Sequence, residues 1–168
     1  MALPKTSTLE QGFTLIEIIV VMAMLAMIGS LTLIASLQSF YSSSFRDERD
    51  AIVTTLFKAR AQAVNNICLG AAGACTDGRP HGVHFAAGVY TIFQGASYAT
   101  RDTIADQTFT PSYSISLAPG SFSDVVFEQL SGDATTSPMG VWTLNLQDST
   151  SKTSTITLNS EGQIIWTN

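Results

Sequence analysis

The chain opens polar, becomes apolar for one long stretch, turns amphipathic, and ends in short alternating runs. Residues 13–37 read FTLIEIIVVMAMLAMIGSLTLIASL and carry a single charge, Glu17. From Ile18 to Leu37 there are 20 residues with neither charge nor proline. At the rise of an α-helix such a run covers about 30 Å, the hydrocarbon thickness of a bilayer. The pattern predicts a transmembrane helix over 13–37. Beyond it, apolar residues recur at Phe40, Tyr41, Phe45, Ile52, Val53, Leu56, Phe57, Ala63, Val64 and Ile67. Spacings of three, four and seven place many of these on one helix face. An amphipathic helix is therefore expected over 38–67, continuous with the first and ended by Asn65-Asn66 and then Gly70. Arg46 and Asp50, four apart, are expected to pair. A helix from Phe13 to Asn66 would run about 80 Å.

From Gly82 onward the period shortens to two. Gly82–Ala86 and Val89–Gln94 flank Ala87-Gly88 and predict a β-hairpin. Further strands are predicted at Tyr113–Leu117, Asp124–Leu130, Val141–Gln147, Thr153–Asn159 and Gln163–Thr167. Ala118-Pro119-Gly120, Gly132-Asp133, Ser137-Pro138 and Glu161-Gly162 supply turn signals between them. Residues 95–112 are polar and yield no element. Short connections make the sheet mostly antiparallel. The expected fold class is α+β, with a long N-terminal helix on an antiparallel head spanning 68–168.

Composition sharpens this picture in two ways. Only 12% of the 168 residues are charged, against a usual share of about a quarter. The net charge is −5 and is unevenly placed. From Ala61 onward the bases are Arg79, Arg101 and Lys152, set against eight acids. A head so short of cations lacks the basic patch that phosphate backbones demand, so no nucleic-acid partner is expected.

The residues before the apolar run decide how it is used. The run is too long for the core of a cleaved secretory signal, and no clear A-x-A site follows it. A plain signal anchor and a signal cut ahead of the run remain. Residues 1–12 form a short polar leader with Lys5 as its one basic side chain. Gly12-Phe13-Thr14-Leu15-Ile16-Glu17 follows. Glycine gives a protease an unhindered extended backbone. A carboxylate in apolar surroundings is costly unless paired, so Glu17 needs a cation at its own depth or a place at the headgroup water. Gly29, mid-span, reads either as a small residue tolerated in a membrane helix or as a point of close helix contact.

This boundary resembles the type IV pilin and type II secretion pseudopilin family. The resemblance implies cleavage by prepilin peptidase after Gly12 and N-methylation of Phe13. It makes Glu17 the assembly residue, paired with the new amino terminus of a neighbouring subunit. It places the leader in the cytoplasm, the helix in the bacterial inner membrane and the head outside. The segment Arg46–Asn66 and the ending Ile156–Ile164 are also similar to the H-type minor pseudopilin and related minor pilins. That implies a minor subunit of a secretion pseudopilus, with other pilin or pseudopilin subunits as partners. A minor type IV pilin for pilus biogenesis, adhesion or DNA uptake is the nearest alternative. A signal-anchored binding domain unrelated to filaments is the alternative from another class.

Cys68 and Cys75 bracket a loop of small residues. They would close as a disulfide in an oxidising compartment and remain thiols in a reducing one. A metal would need more ligands, and His81 and His84 complete no set. No cofactor is expected. There is no nucleophile motif and no Gly-rich phosphate loop. Trp142 and Trp166 read as core or sheet-face residues, and Asp148–Thr155 as a strand edge with its turn. The chain is read as a structural subunit, not an enzyme.

Overall fold

The computed structural model describes residues 13–70, 77–86, 88–112, 115–148 and 151–167, with only the backbone described for 31–38. The chain divides into two compact units, Met1–Tyr41 and Ser42–Asn168. One helix, α1 (Leu15–Val64), contributes to both. Nine strands follow: β1 (His81–Ala86), β2 (Val89–Gln94), β3 (Gln107–Phe109), β4 (Ile115–Leu117), β5 (Asp124–Phe127), β6 (Ala134–Ser137), β7 (Thr143–Asp148), β8 (Thr153–Leu158) and β9 (Ile164–Thr167).

In the first unit, the helix presents apolar side chains on every side. Leu15, Ile16, Ile18, Ile19, Val20, Val21, Met22, Met24, Leu25, Met27 and Ile28 are all exposed. Among the described residues, no helix is long and apolar enough to cross a membrane. The span expected over 13–37 runs into residues 31–38, whose side chains lie outside the described residues.

In the second unit, α1 packs against both sheets. The larger sheet has strand order β3-β2-β1-β5-β6 and the smaller β4-β7-β8-β9, with every pairing antiparallel. Alternation selects the inward residues of each strand. Val83 and Phe85, Tyr90 and Ile92, Val125 and Phe127 meet Leu144, Leu146, Ile156 and Leu158 in one buried cluster. From α1 come Phe45, Ile52, Val53, Leu56, Ala59 and Ala63. Burying each large side chain contributes about 1.5–3 kcal/mol. This is the α+β architecture of pilin-like heads, a helix packed on antiparallel sheets.

The helix ends where two asparagines occur in a row. Asn66 takes φ +56°, the left-handed region that asparagine tolerates. Its N–H bonds to the Ala63 carbonyl at 3.1 Å, and the Ile67 N–H reaches back to Gln62 at 2.9 Å. These two bonds form a Schellman cap. The stop thus falls at Asn65-Asn66, and Gly70 plays no part in it.

The β1–β2 hairpin has the expected register, with Ala86 opposite Val89. Four strand predictions, for β5, β7, β8 and β9, run long by one to three residues at an end. β5 ends at Phe127 because Leu130 turns to φ +67°. β7 begins at Thr143, β8 ends at Leu158 and β9 begins at Ile164, while the expected start of β4 at Tyr113 lies outside the described residues. Two strands were not expected at all. β6 reads Ala-Thr-Thr-Ser and has too few apolar residues to signal itself. Its partner β5 recruits it through the turn at Gly132. β3 lies inside 95–112, a segment that also holds two 3-10 turns, Tyr98–Thr100 and Thr103–Ala105. The expected Arg46–Asp50 pair does not form. Arg49, next in sequence, takes Asp50 at 2.8 Å because its fork reaches the carboxylate directly.

Candidate processing site and head surface

Gly12 lies outside the described residues, so the predicted cleavage site is seen only from its far side. Phe13 and Thr14 precede the helix, and Phe13 is exposed. The Thr14 hydroxyl accepts from the Glu17 N–H at 3.3 Å, and the Thr14 carbonyl accepts from the same N–H at 3.1 Å. Thr14 is therefore the N-cap of α1. Thr14-x-x-Glu17 is the capping-box spacing, a helix-start signal that the sequence itself carries. Glu17 is the acidic residue of the first turn, where the helix dipole favours negative charge. Thus two residues of this boundary, Thr14 and Glu17, have a local helix-starting role before any partner is considered.

The chain carries a type IV pilin-like leader. The family model of the prokaryotic N-terminal methylation motif matches residues 8–33, which contain Gly12, Phe13, Thr14 and Glu17. No curated protein and no solved structure matches the chain. The leader motif implies processing by prepilin peptidase, assembly with other pilin subunits, and a life first in a membrane and then in a filament.

The two histidines stand on opposite faces of β1, as a spacing of three on a strand requires. His81 faces inward and is fully buried. Its Nδ1 lies 2.9 Å from the Arg79 carbonyl oxygen, so that nitrogen carries the proton and donates. Its Nε2 has no hydrogen-bond partner among the described residues. Burial lowers its pKa below the ordinary 6.5. On the same inner side the Tyr90 hydroxyl lies beside the buried Glu48 carboxylate. Burial and that carboxylate together push the Tyr90 pKa up.

His84 faces outward. Its Nδ1 meets Asp124 Oδ1 at 2.6 Å, and the Ser123 hydroxyl donates to Asp124 Oδ2 at 2.8 Å. The serine thus sits on the acid, not on the imidazole, which is the wrong order for activating a nucleophile. Tyr98 stacks on the His84 ring at 3.7 Å and carries the Arg101 guanidinium 3.7 Å from its own ring centre. Arg101 pairs with Asp106 at 2.9 Å. Through these contacts the polar segment after β2 is fastened over the outer face of the larger sheet. Beside it a cavity of about 530 Å³ opens between Tyr98, Val126, Thr135 and Met139.

Gln94, buried at the end of β2, holds the chain just after Cys68. Its Oε1 accepts from the Leu69 N–H at 2.6 Å, and its Nε2 donates to the Leu69 carbonyl at 3.0 Å. No side chain in the sequence announces this clamp, because a strand-end glutamine usually points to water. Cys75 lies in 71–76, outside the described residues. Among the described residues no group of three or more metal-ligating side chains comes together. Trp142 packs partly buried against the core, and Trp166 is exposed on β9.

Proposed function

We propose that this protein is a minor subunit of a pilin-like filament serving type II protein secretion. Prepilin peptidase cuts after Gly12 and methylates Phe13. Residues 13–37 hold the subunit in the inner membrane with the head outside. Glu17 then directs assembly by pairing with the amino terminus of a neighbour. Cys68 and Cys75 close a disulfide that ties the end of α1 to the start of β1.

One observation carries the reading: a methylation-motif leader stands immediately before a helix whose apolar side chains are bare on all faces. Such a surface is stable only in lipid or against other helices. The absence of a free cysteine among the described residues supports the disulfide and an oxidising compartment. The subunit's rank and the secretion role rest on the similarity of Arg46–Asn66 and Ile156–Ile164 to the H-type minor pseudopilin.

The test is N-terminal mass spectrometry of protein extracted from membranes after coexpression with a prepilin peptidase. A mature chain beginning at methylated Phe13 is expected. A chain still beginning at Met1, or cut beyond the apolar run, overturns the proposal.

A further inference from the structure

We propose that Arg46 and Lys152 form a site at the base of the head for the phosphate of an anionic phospholipid headgroup. The inference rests on the membrane-span reading above. A small cavity of about 190 Å³ is lined by Ser42, Phe45, Arg46, Lys152 and Thr153. Its polar lining is two cations and two hydroxyls, with no carboxylate. That donor set suits anionic oxygens and little else. A water molecule takes about 30 Å³, so a phosphate group and a few waters fit.

The two cations are far apart in sequence. Arg46 comes from α1 and Lys152 from the turn between β7 and β8. The fold brings them to one cavity in a head that has few bases. Neither charged group has an ion-pair or hydrogen-bond partner among the described residues. The nearby acids bind other donors and make no salt bridge to either cation among the described residues. Asp50 pairs with Arg49, Asp47 accepts from Ser43, and Asp148 accepts from the Lys152 N–H. Arg46, so soon after a span and on its outer side, runs against the usual placement of basic residues on the cytoplasmic side. A fixed anion at that depth removes the conflict.

Chain length supplies the depth. Ser42 follows Leu37 by five residues, so it lies within about 17 Å of the span's end by any path. The headgroup layer is about 5–8 Å thick on each side. Arginine and lysine stems are long enough to add several ångströms of reach. A lipid phosphate is therefore within range of the cavity, and the anionic surface acts over a Debye length of about 8 Å.

The experiment is native mass spectrometry of the full chain purified in neutral detergent, titrated with phosphatidylglycerol, phosphatidylcholine or inorganic phosphate. Wild type is expected to retain phosphatidylglycerol at least tenfold better than phosphatidylcholine. Arg46→Gln or Lys152→Gln alone lowers that preference about fivefold, and the double change abolishes it. The charge-preserving pair Arg46→Lys with Lys152→Arg keeps it, which separates a charge effect from misfolding. Equal retention of the two lipids overturns the inference. So does inorganic phosphate competing mole for mole with the lipid. Loss of filament incorporation in the double glutamine variant with lipid preference intact assigns the cations to an acidic neighbour, and again overturns it. Carbonate washing of membranes distinguishes the two readings. Wild type that washes off overturns the span and this site together. Wild type that stays but shows no lipid preference overturns this site alone.

Discussion

His81 shows how much one ring nitrogen can decide. The ring is buried with Nδ1 spent on the Arg79 carbonyl and Nε2 facing no partner among the described residues. Protonation would place a charge and a bare N–H where nothing accepts them. The folded pKa is accordingly below 6.5, while the unfolded chain takes up its proton near 6.5. The unfolded state thus binds more protons below that pH. The stabilisation is complete above about pH 6.5 and is lost as pH falls below it, with a slope approaching about 1.4 kcal/mol per pH unit. Denaturant midpoints of the full chain between pH 7.5 and 5 should fall for wild type. His81→Leu should be less stable at pH 7.5 by about 1 kcal/mol and should show a flatter profile. A wild-type profile no steeper than the variant's would show that His81 is not the group responsible. The sequence marked His81 and His84 as an unlikely joint ligand pair but gave neither a face. Which residue turned inward depended on the register with Gln94 and Phe127. The burial of Glu48 was equally hidden, since it stands in the charged run Arg46–Asp50 and its neighbour Tyr90 comes from a distant strand.

At the scale of elements, α1 meets the sheets through turns as well as through its apolar face. Arg60 donates from Nε to the Gly132 carbonyl at 3.4 Å and from a terminal nitrogen to the Glu161 carbonyl at 3.2 Å. One side chain therefore holds the β5–β6 turn of one sheet and the β8–β9 turn of the other. The Leu130 N–H adds a bond to the Ala63 carbonyl of α1 at 3.0 Å. A β-carbon at Gly162 would strike the Gly132 carbonyl, which shows how closely the two turns approach. Arg60→Ala should cost about 1–2 kcal/mol, most of it in the loss of these two bonds at a partly exposed site. Hydrogen exchange should show the Gly132 and Gly162 turns opening before the central strands β1 and β7. Uniform exchange across the head in the variant would mean that the turns are held by something else. The strands with strong alternation, β1, β2, β7 and β8, were legible in the sequence. β3 and β6 were not, because each is a short edge strand whose residues face water on one side and gain their conformation from a neighbour. The helix was legible for the opposite reason: its pattern is long and local, and both of its ends carry residues chosen for the job.

For the whole molecule, the question is why a carboxylate stands at the start of an apolar helix. The capping geometry answers part of it. Thr14 closes the first turn, and the Glu17 charge lies at the positive end of the helix dipole. That local role is worth about 0.3–1 kcal/mol and is met nearly as well by other caps. It does not offset the cost of a carboxylate in lipid, which needs a cation at its own depth or a place at the headgroup water. In the proposed filament, the amino group freed at Phe13 of a neighbour supplies that cation. The two roles separate experimentally. Glu17→Ala should leave cleavage after Gly12, methylation of Phe13 and retention in the membrane unchanged, since none of these uses the carboxylate. Glu17→Gln keeps much of the polar volume but loses the charge. Both variants should fall at least tenfold in sheared filament fractions relative to membrane-held subunit. A helix-starting role alone predicts something different: Glu17→Gln would assemble nearly normally, and Glu17→Ala would lower membrane retention together with assembly. If the glutamine variant enters filaments at the wild-type level, charge pairing between neighbours is not what joins these subunits, and the Thr14–Glu17 cap is the whole of the residue's purpose.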